Sequence, residues 1–189
     1  MIVMIGGMPG SGKSTIGQDI ACALGIEELI HTDTLKTLRK VAGVADVSVA
    51  PSHSAGRVLG VDDFAGYAVH STAYGLLFNE IAQYSCDKKI LIEGVQCSPA
   101  LYDSLPGKKI GFYLTCPPVL RRERLQQKMY KRTGAKPLWL EHFDTICSLD
   151  RHLLQQTSQY GMIAVDNLCR CRSKGEMVEM IKDAYRQNS

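Results

Sequence analysis

The sequence predicts a three-layer α/β/α sandwich around a five-stranded parallel sheet, and three observations predict it. Five short apolar runs rich in β-branched or aromatic residues, Ile2–Ile5, Glu28–His31, Lys89–Ile92, Ile110–Thr115 and Met162–Val165, alternate with stretches of helical periodicity. Four of these runs are almost continuously apolar, as expected of parallel strands covered on both faces. The first run passes directly into a glycine-rich turn and then into a helix-forming segment, and such strand–helix alternation builds an α/β sandwich.

A length of 189 residues suits one domain spanning 1–189. Apolar residues at 45% and charged residues at 22% are sufficient for a core and give no reason to expect disorder. The net charge of +3 is too small to imply nucleic acid, although it favours an anionic ligand. The seven cysteines are scattered, without a C-x-x-C pair or zinc spacing, and read as reduced thiols of a cytoplasmic protein. The apolar start at Met1–Ile5 is too short for a membrane segment and lacks the basic flank of a signal peptide. Oligomeric state is open.

Taken in order, the first helix is expected over Lys13–Leu24, ended by Gly25 as the left-handed residue. A second starts near Asp33. From about 41 to 62 the composition turns to Gly, Ala, Ser, Pro and Val without a clear period, which marks a variable surface excursion or insertion. Asp62–Tyr84 regains helical spacing through Phe64, Ala68, Ala73, Leu76, Leu77 and Ile81. Pro117 and Pro118 open the next helix, where a missing N–H costs little. That helix carries Arg121, Arg122, Arg124, Lys128, Lys131 and Arg132 into a lid of about 121–137, interrupted by Gly134 and Pro137. One long amphipathic helix over Pro137–Tyr160 and a last helix over Lys174–Arg186 complete the chain.

Gly7-Met-Pro-Gly-Ser-Gly-Lys-Ser14 fits G-x-x-x-x-G-K-[ST] in the strand–turn–helix context that the pattern requires. Phosphates carry several charges that the backbone must approach closely, so Gly7, Gly10 and Gly12 bring N–H groups together at a helix N-terminus whose dipole favours anions. Pro9 and Ser11 complete the loop. Lys13 supplies a point charge to the β- and γ-phosphates of ATP, the Ser14 hydroxyl is a ligand for Mg²⁺, and Thr15 lies near the α-phosphate.

Ligands of a parallel α/β sheet lie beyond the carboxyl ends of its strands. Asp33, after the second strand, is placed to accept a proton from an acceptor hydroxyl or to hold the acceptor in line, roles compatible with capping a helix. Glu93, followed by Gly94, is expected exposed at the tip of the third strand, on the metal side through water or on the substrate side. In the basic helix, one or two of Arg121, Arg124, Lys128 and Arg132 are expected to close over bound phosphates, with Arg124 taken as catalytic.

With these residues in place, the chain resembles 2-phosphoglycerate kinase and its relatives among small P-loop kinases. The likeness rests on the phosphate loop, Thr32-Asp33-Thr34 before Leu38-Arg39, Ile92-Glu93-Gly94-Val95, Arg122-Glu123-Arg124, Leu140-Glu141-His142-Phe143-Asp144 and Val165-Asp166-Asn167, in that order. The resemblance implies a nucleoside-monophosphate-kinase-like P-loop NTPase fold, ATP with Mg²⁺, and a small anionic hydroxy acceptor. It matches Asp33 to the catalytic or substrate-binding acid and turns Lys36 and Arg39 toward an acceptor phosphate or carboxylate, with His53 and Arg57 as further candidates. Asp166 and Asn167 line the adenine or turn the chain, the turn being preferred.

The function expected is transfer of the γ-phosphoryl group of ATP to such a small-molecule acceptor. Two readings compete: a kinase for nucleotides or polynucleotide ends, and an ATP- or GTP-binding regulatory protein. Against the last, no aspartate–glycine switch element follows the third strand and no N-K-x-D guanine motif occurs.

Overall fold

The computed structural model describes residues 1–35, 75–84, 88–130 and 138–187. Among them, β1 (Ile2–Gly6), β2 (Glu28–His31), β3 (Ile90–Glu93), β4 (Lys109–Thr115) and β5 (Ile163–Asp166) form one sheet in the order β2-β3-β1-β4-β5. Every neighbouring pair is parallel. The helices are α1 (Lys13–Leu24), α2 (Pro99–Ser104), α3 (Pro118–Tyr130), α4 (Leu138–Glu141), α5 (Phe143–Gln156) and α6 (Arg170–Arg186), and residues 32–35 and 75–84 are also helical.

Alternation along the strands divides the core in two. Ile2 and Met4 of β1, Ile90 and Ile92 of β3, and Tyr113 of β4 face one layer, where Phe78, Leu101, Tyr102, Ile146, Leu149 and Leu153 cover them. Val3, Ile5, Leu91, Phe112 and Leu114 face the other, under Ile16 and Ile20 of α1 and Met177, Val178 and Ile181 of α6. The β1 strand is buried throughout, which is why its sequence reads as an unbroken apolar run. A one-residue slip would exchange the two faces, so the register is strongly specified. Because the chain leaves β1 toward β2 on one side and leaves β4 toward β5 on the other, the carboxyl ends of β1 and β4 flank a ligand-binding switch point.

Strand assignments agree with expectation to about a residue at each end, and Gly25 caps α1 in the left-handed conformation at φ 60°. The helices differ more. The single helix expected over Pro137–Tyr160 is divided at His142 (φ −106°, ψ 27°), so that α5 starts at Phe143 and ends at Gln156. The helix α6 begins at Arg170 rather than Lys174, because Ser173 Oγ bonds the Cys169 carbonyl and Arg170 grips Asp19 of α1 with two nitrogens. The short α2 was not expected, although Ser98 accepting from the Leu101 N–H with Pro99 behind it is a common helix start. Leu76, counted on the apolar face, is exposed, and Phe78 and Ala82 are the buried residues of that helix among those described. The segment of about 41–62 lies outside the described residues.

Phe112 is fully buried at the centre of the second layer. Its replacement by alanine is expected to cost about 3–5 kcal/mol, read as a lower urea midpoint with an unchanged slope.

Candidate phosphate-binding site

The loop between β1 and α1 is held in place by bonds to its carbonyl oxygens. Gly12 is the N-cap of α1 at φ 91°, a conformation that glycine adopts without penalty. A Cβ there would lie 2.5 Å from Asn167 Nδ2. Inside the loop, the Ser11 N–H bonds the Met8 carbonyl at 3.1 Å and the Ile16 N–H bonds the Gly12 carbonyl at 3.1 Å. Three loop carbonyls are taken from outside. Arg121 donates to Pro9 at 3.0 Å, the Cys116 thiol donates to Gly10 at 3.6 Å, and Asn167 Nδ2 and Arg124 donate to Ser11 at 2.7 and 3.2 Å. The oxygens that would repel an anion are thereby neutralised, at a helix N-terminus already favourable to negative charge.

Glu93 ends β3 in register with Ile5 of β1 and His31 of β2. Its Oε2 accepts from Ser14 Oγ at 3.1 Å, and its Oε1 meets His31 Nδ1 at 2.5 Å. The residue is 4% exposed, which corrects the expected exposed tip: it lies within the strand, and burial of a carboxylate is tolerated where partners occupy its oxygens. Just beyond, Thr32 Oγ1 donates to Gln96 Oε1. A Cβ on Gly94 would fall 1.7 Å from that hydroxyl, so glycine is what lets these two strand ends come together.

In the basic helix, three arginines among the described residues have defined partners. Arg121 is 1% exposed and donates to Asp150 Oδ2 at 2.5 Å. That carboxylate also accepts from Tyr113 at 3.1 Å and Thr115 at 2.7 Å. The Arg122 guanidinium lies 4.1 Å from the Phe143 ring centre, the range of a cation–π contact. Arg124 joins the loop to the segment after β5 through Ser11 and, at 2.8 Å, the Asn167 carbonyl.

Lys13, Ser14 and Glu93 are thus gathered at one end of the sheet, with Asp33 exposed in the helical turn after β2. Lys36, Arg39, His53, Arg57 and Arg132 lie outside the described residues, as does the side chain of Lys128. His31, Arg121, Asp150 and Asn167 are the residues that sequence reasoning missed or misplaced. Asn167, read as a turn residue, is buried and clamps the loop. A histidine closing an apolar strand beside an acid was the available signal for His31.

Two thiols lie within this region. Burial pushes Cys97 well above the usual thiol range, with the Glu93 carboxylate adding to the rise and Lys13 opposing it. Burial also raises Cys116, against the pull of Arg121 and Arg124.

Residues 3–138 match a family model described as AAA domain. The 2-phosphoglycerate kinase of Pyrococcus furiosus is 25% identical over 182 residues, covering 89% of this chain and 59% of that protein. That of Methanocaldococcus jannaschii is 25% identical over 186 residues, with 89% and 59% covered. The chain therefore spans about three fifths of the length of the curated relatives it matches. Among solved structures, a gluconokinase from Sinorhizobium meliloti superposes with a TM-score of 0.53 at 19% identity, covering 99% of this chain and 97% of that one. Shikimate kinase from Acinetobacter baumannii, in complex with shikimate, gives 0.52 at 18% identity, with 100% and 93% covered. These structural likenesses bear out the expected P-loop kinase fold.

The burial of the two thiols is open to direct test. Iodoacetamide at pH 8 is expected to label the exposed Cys22, Cys169 and Cys171 and to leave Cys97 and Cys116 unmodified until denaturant is added, as read by peptide mass mapping.

Proposed function

The chain belongs to the AAA domain family, and from that premise we propose that it is an ATP-dependent kinase acting on a small anionic hydroxy compound of the 2-phosphoglycerate kind. The observation that carries the reading is the meeting of the phosphate loop with Glu93, which sets the Ser14 hydroxyl 3.1 Å from a buried carboxylate beside Lys13. A hydroxyl and a carboxylate are hard oxygen donors and suit Mg²⁺, which is usually held by one or two protein groups, water and substrate phosphates. Among the described residues no cluster of three or more His, Cys, Asp or Glu offers a self-sufficient metal cage. The names of the curated relatives support the acceptor class.

In this reading the loop N–H groups and the start of α1 bind the β-phosphate, and Lys13 supplies a charge shared between the β- and γ-phosphates. Ser14, with Glu93 directly or through water, would hold Mg²⁺, which neutralises charge on the phosphate oxygens. Asp33 orients the acceptor hydroxyl and takes its proton as the new P–O bond forms and the bond from the γ-phosphorus to the β,γ-bridging oxygen breaks. Lys36 and Arg39 bind the anionic group of the acceptor. Arg124, anchored beside Ser11, is a lid-side cation at the loop whose partners among the described residues are the neutral Ser11 and Asn167 carbonyls and the Cys116 thiol.

Terminally labelled ATP with Mg²⁺ is expected to label 2-phosphoglycerate or a related hydroxy acid, within a panel that also holds sugar phosphates, nucleotides and polynucleotide ends. Lys13→Ala should lower kcat by about 10²- to 10³-fold, the usual cost of one donor on developing charge. Asp33→Asn should lower it about 10²- to 10⁴-fold with the KM for ATP little changed. Tight ATP binding with no labelled acceptor would replace the kinase by a regulatory nucleotide-binding protein.

A further inference from the structure

Arg121 and Asp150 form a charged pair with 1% and 7% of their side chains exposed. Removing two charges from water costs several kcal/mol per ion, and well-packed apolar side chains in their place are often as stable or more so. Stability alone is thus a poor reason for the pair. Its bonds point to another. Tyr113 and Thr115 of β4 donate to the carboxylate, one guanidinium nitrogen meets the same group, and the second nitrogen donates to the Pro9 carbonyl. The arginine also shapes the floor of the loop, since a Cβ on Gly10 would lie 2.9 Å from Arg121 Cγ.

We infer that Arg121, oriented by Asp150, is a positioning residue: it fixes the Pro9–Gly10 stretch so that the phosphate loop is already shaped for a polyphosphate before one binds. The inference rests on the nucleotide-binding part of the reading above, and it assigns Arg121 to the loop rather than to a closing lid. The fork geometry is what the task requires. A planar guanidinium serves the carboxylate and the carbonyl at once, whereas a lysine ammonium on a flexible stem is a single point charge that cannot hold both in fixed directions. Asp150 provides two acceptor oxygens shared among three donors, which fixes the plane of the fork.

The test is ADP affinity, by calorimetry, set beside the thermal midpoint. Arg121→Met with Asp150→Asn removes both charges and leaves an amide whose oxygen can accept from one of the Tyr113 and Thr115 hydroxyls and whose nitrogen can donate to the other. This variant is expected to melt within a few degrees of the wild type and to bind ADP at least tenfold more weakly. Arg121→Lys keeps the charge beside Asp150 while losing the fork, and is expected to bind ADP at least threefold more weakly at an unchanged midpoint; it decides the matter if the double variant does not fold. Folded variants that bind ADP within twofold of the wild type overturn the inference and leave the nucleotide reading standing. Wild-type protein that binds no ADP overturns the nucleotide reading, and this inference with it.

Discussion

A loop that wraps a phosphate chain must be nearly bare of side chains, and so it cannot hold its own shape. The rest of this structure answers that constraint. Between Gly7 and Gly12, among the described residues, two backbone bonds outside the regular elements involve the loop itself and its helix start, and the conformation is held from outside by Arg121, Cys116, Arg124 and Asn167 on three successive carbonyls. These donors come from the end of β4, from α3 and from the segment after β5, parts of the chain more than a hundred residues away in sequence. The parallel sheet brings them together by placing β4 and β5 on one side of β1.

The other side of β1 supplies the acid. In register with Ile5, Glu93 reaches Ser14 without leaving its strand, and His31, one strand further out, occupies the remaining oxygen. A carboxylate placed this way is held by two partners and by the sheet's own hydrogen bonds, a rigid support of the kind that a precise site requires. The phosphate loop is thus supported through its carbonyls from the β4–β5 side, and the hydroxyl of its last turn is joined to a fixed anion on the β3–β2 side.

Much of the fold was legible because its signal is local. Apolar runs located the five strands, the G-x-x-x-x-G-K-S pattern located the loop, and Gly25 marked the end of α1. Elements went astray where the signal was not apolar. The start of α6 reads Arg170-Cys-Arg-Ser-Lys174 and is set by a contact with Asp19 on another helix, which no window of sequence contains. The break at His142 falls within a pattern whose apolar spacing continues across it. For the site, Lys13, Ser14 and Glu93 were readable from motif and strand position, and the structure brings Ser14 and Glu93 together. Arg121 and Asp150 were not readable, because a buried charged residue is indistinguishable in sequence from an exposed one until its partner is known, and this pair is 29 residues apart.

The same distinction separates the two arginines that face the loop. For Arg124 to act on a transferring phosphoryl group it must exchange two neutral carbonyl partners for anionic oxygens. Hydrogen bonds to an ionised acceptor are roughly twice as strong, so that exchange is downhill once a polyphosphate is present. Arg121 has no such freedom: leaving its site would strand Asp150 as a buried, uncompensated charge, a loss of about 3–5 kcal/mol. Two residues that a sequence shows as equivalent members of one basic run are therefore opposite in kind. One is fixed by the carboxylate it shares with Tyr113 and Thr115, and the other is held, among the described residues, by neutral partners, the Ser11 and Asn167 carbonyls and the Cys116 thiol, that an incoming phosphate can outcompete.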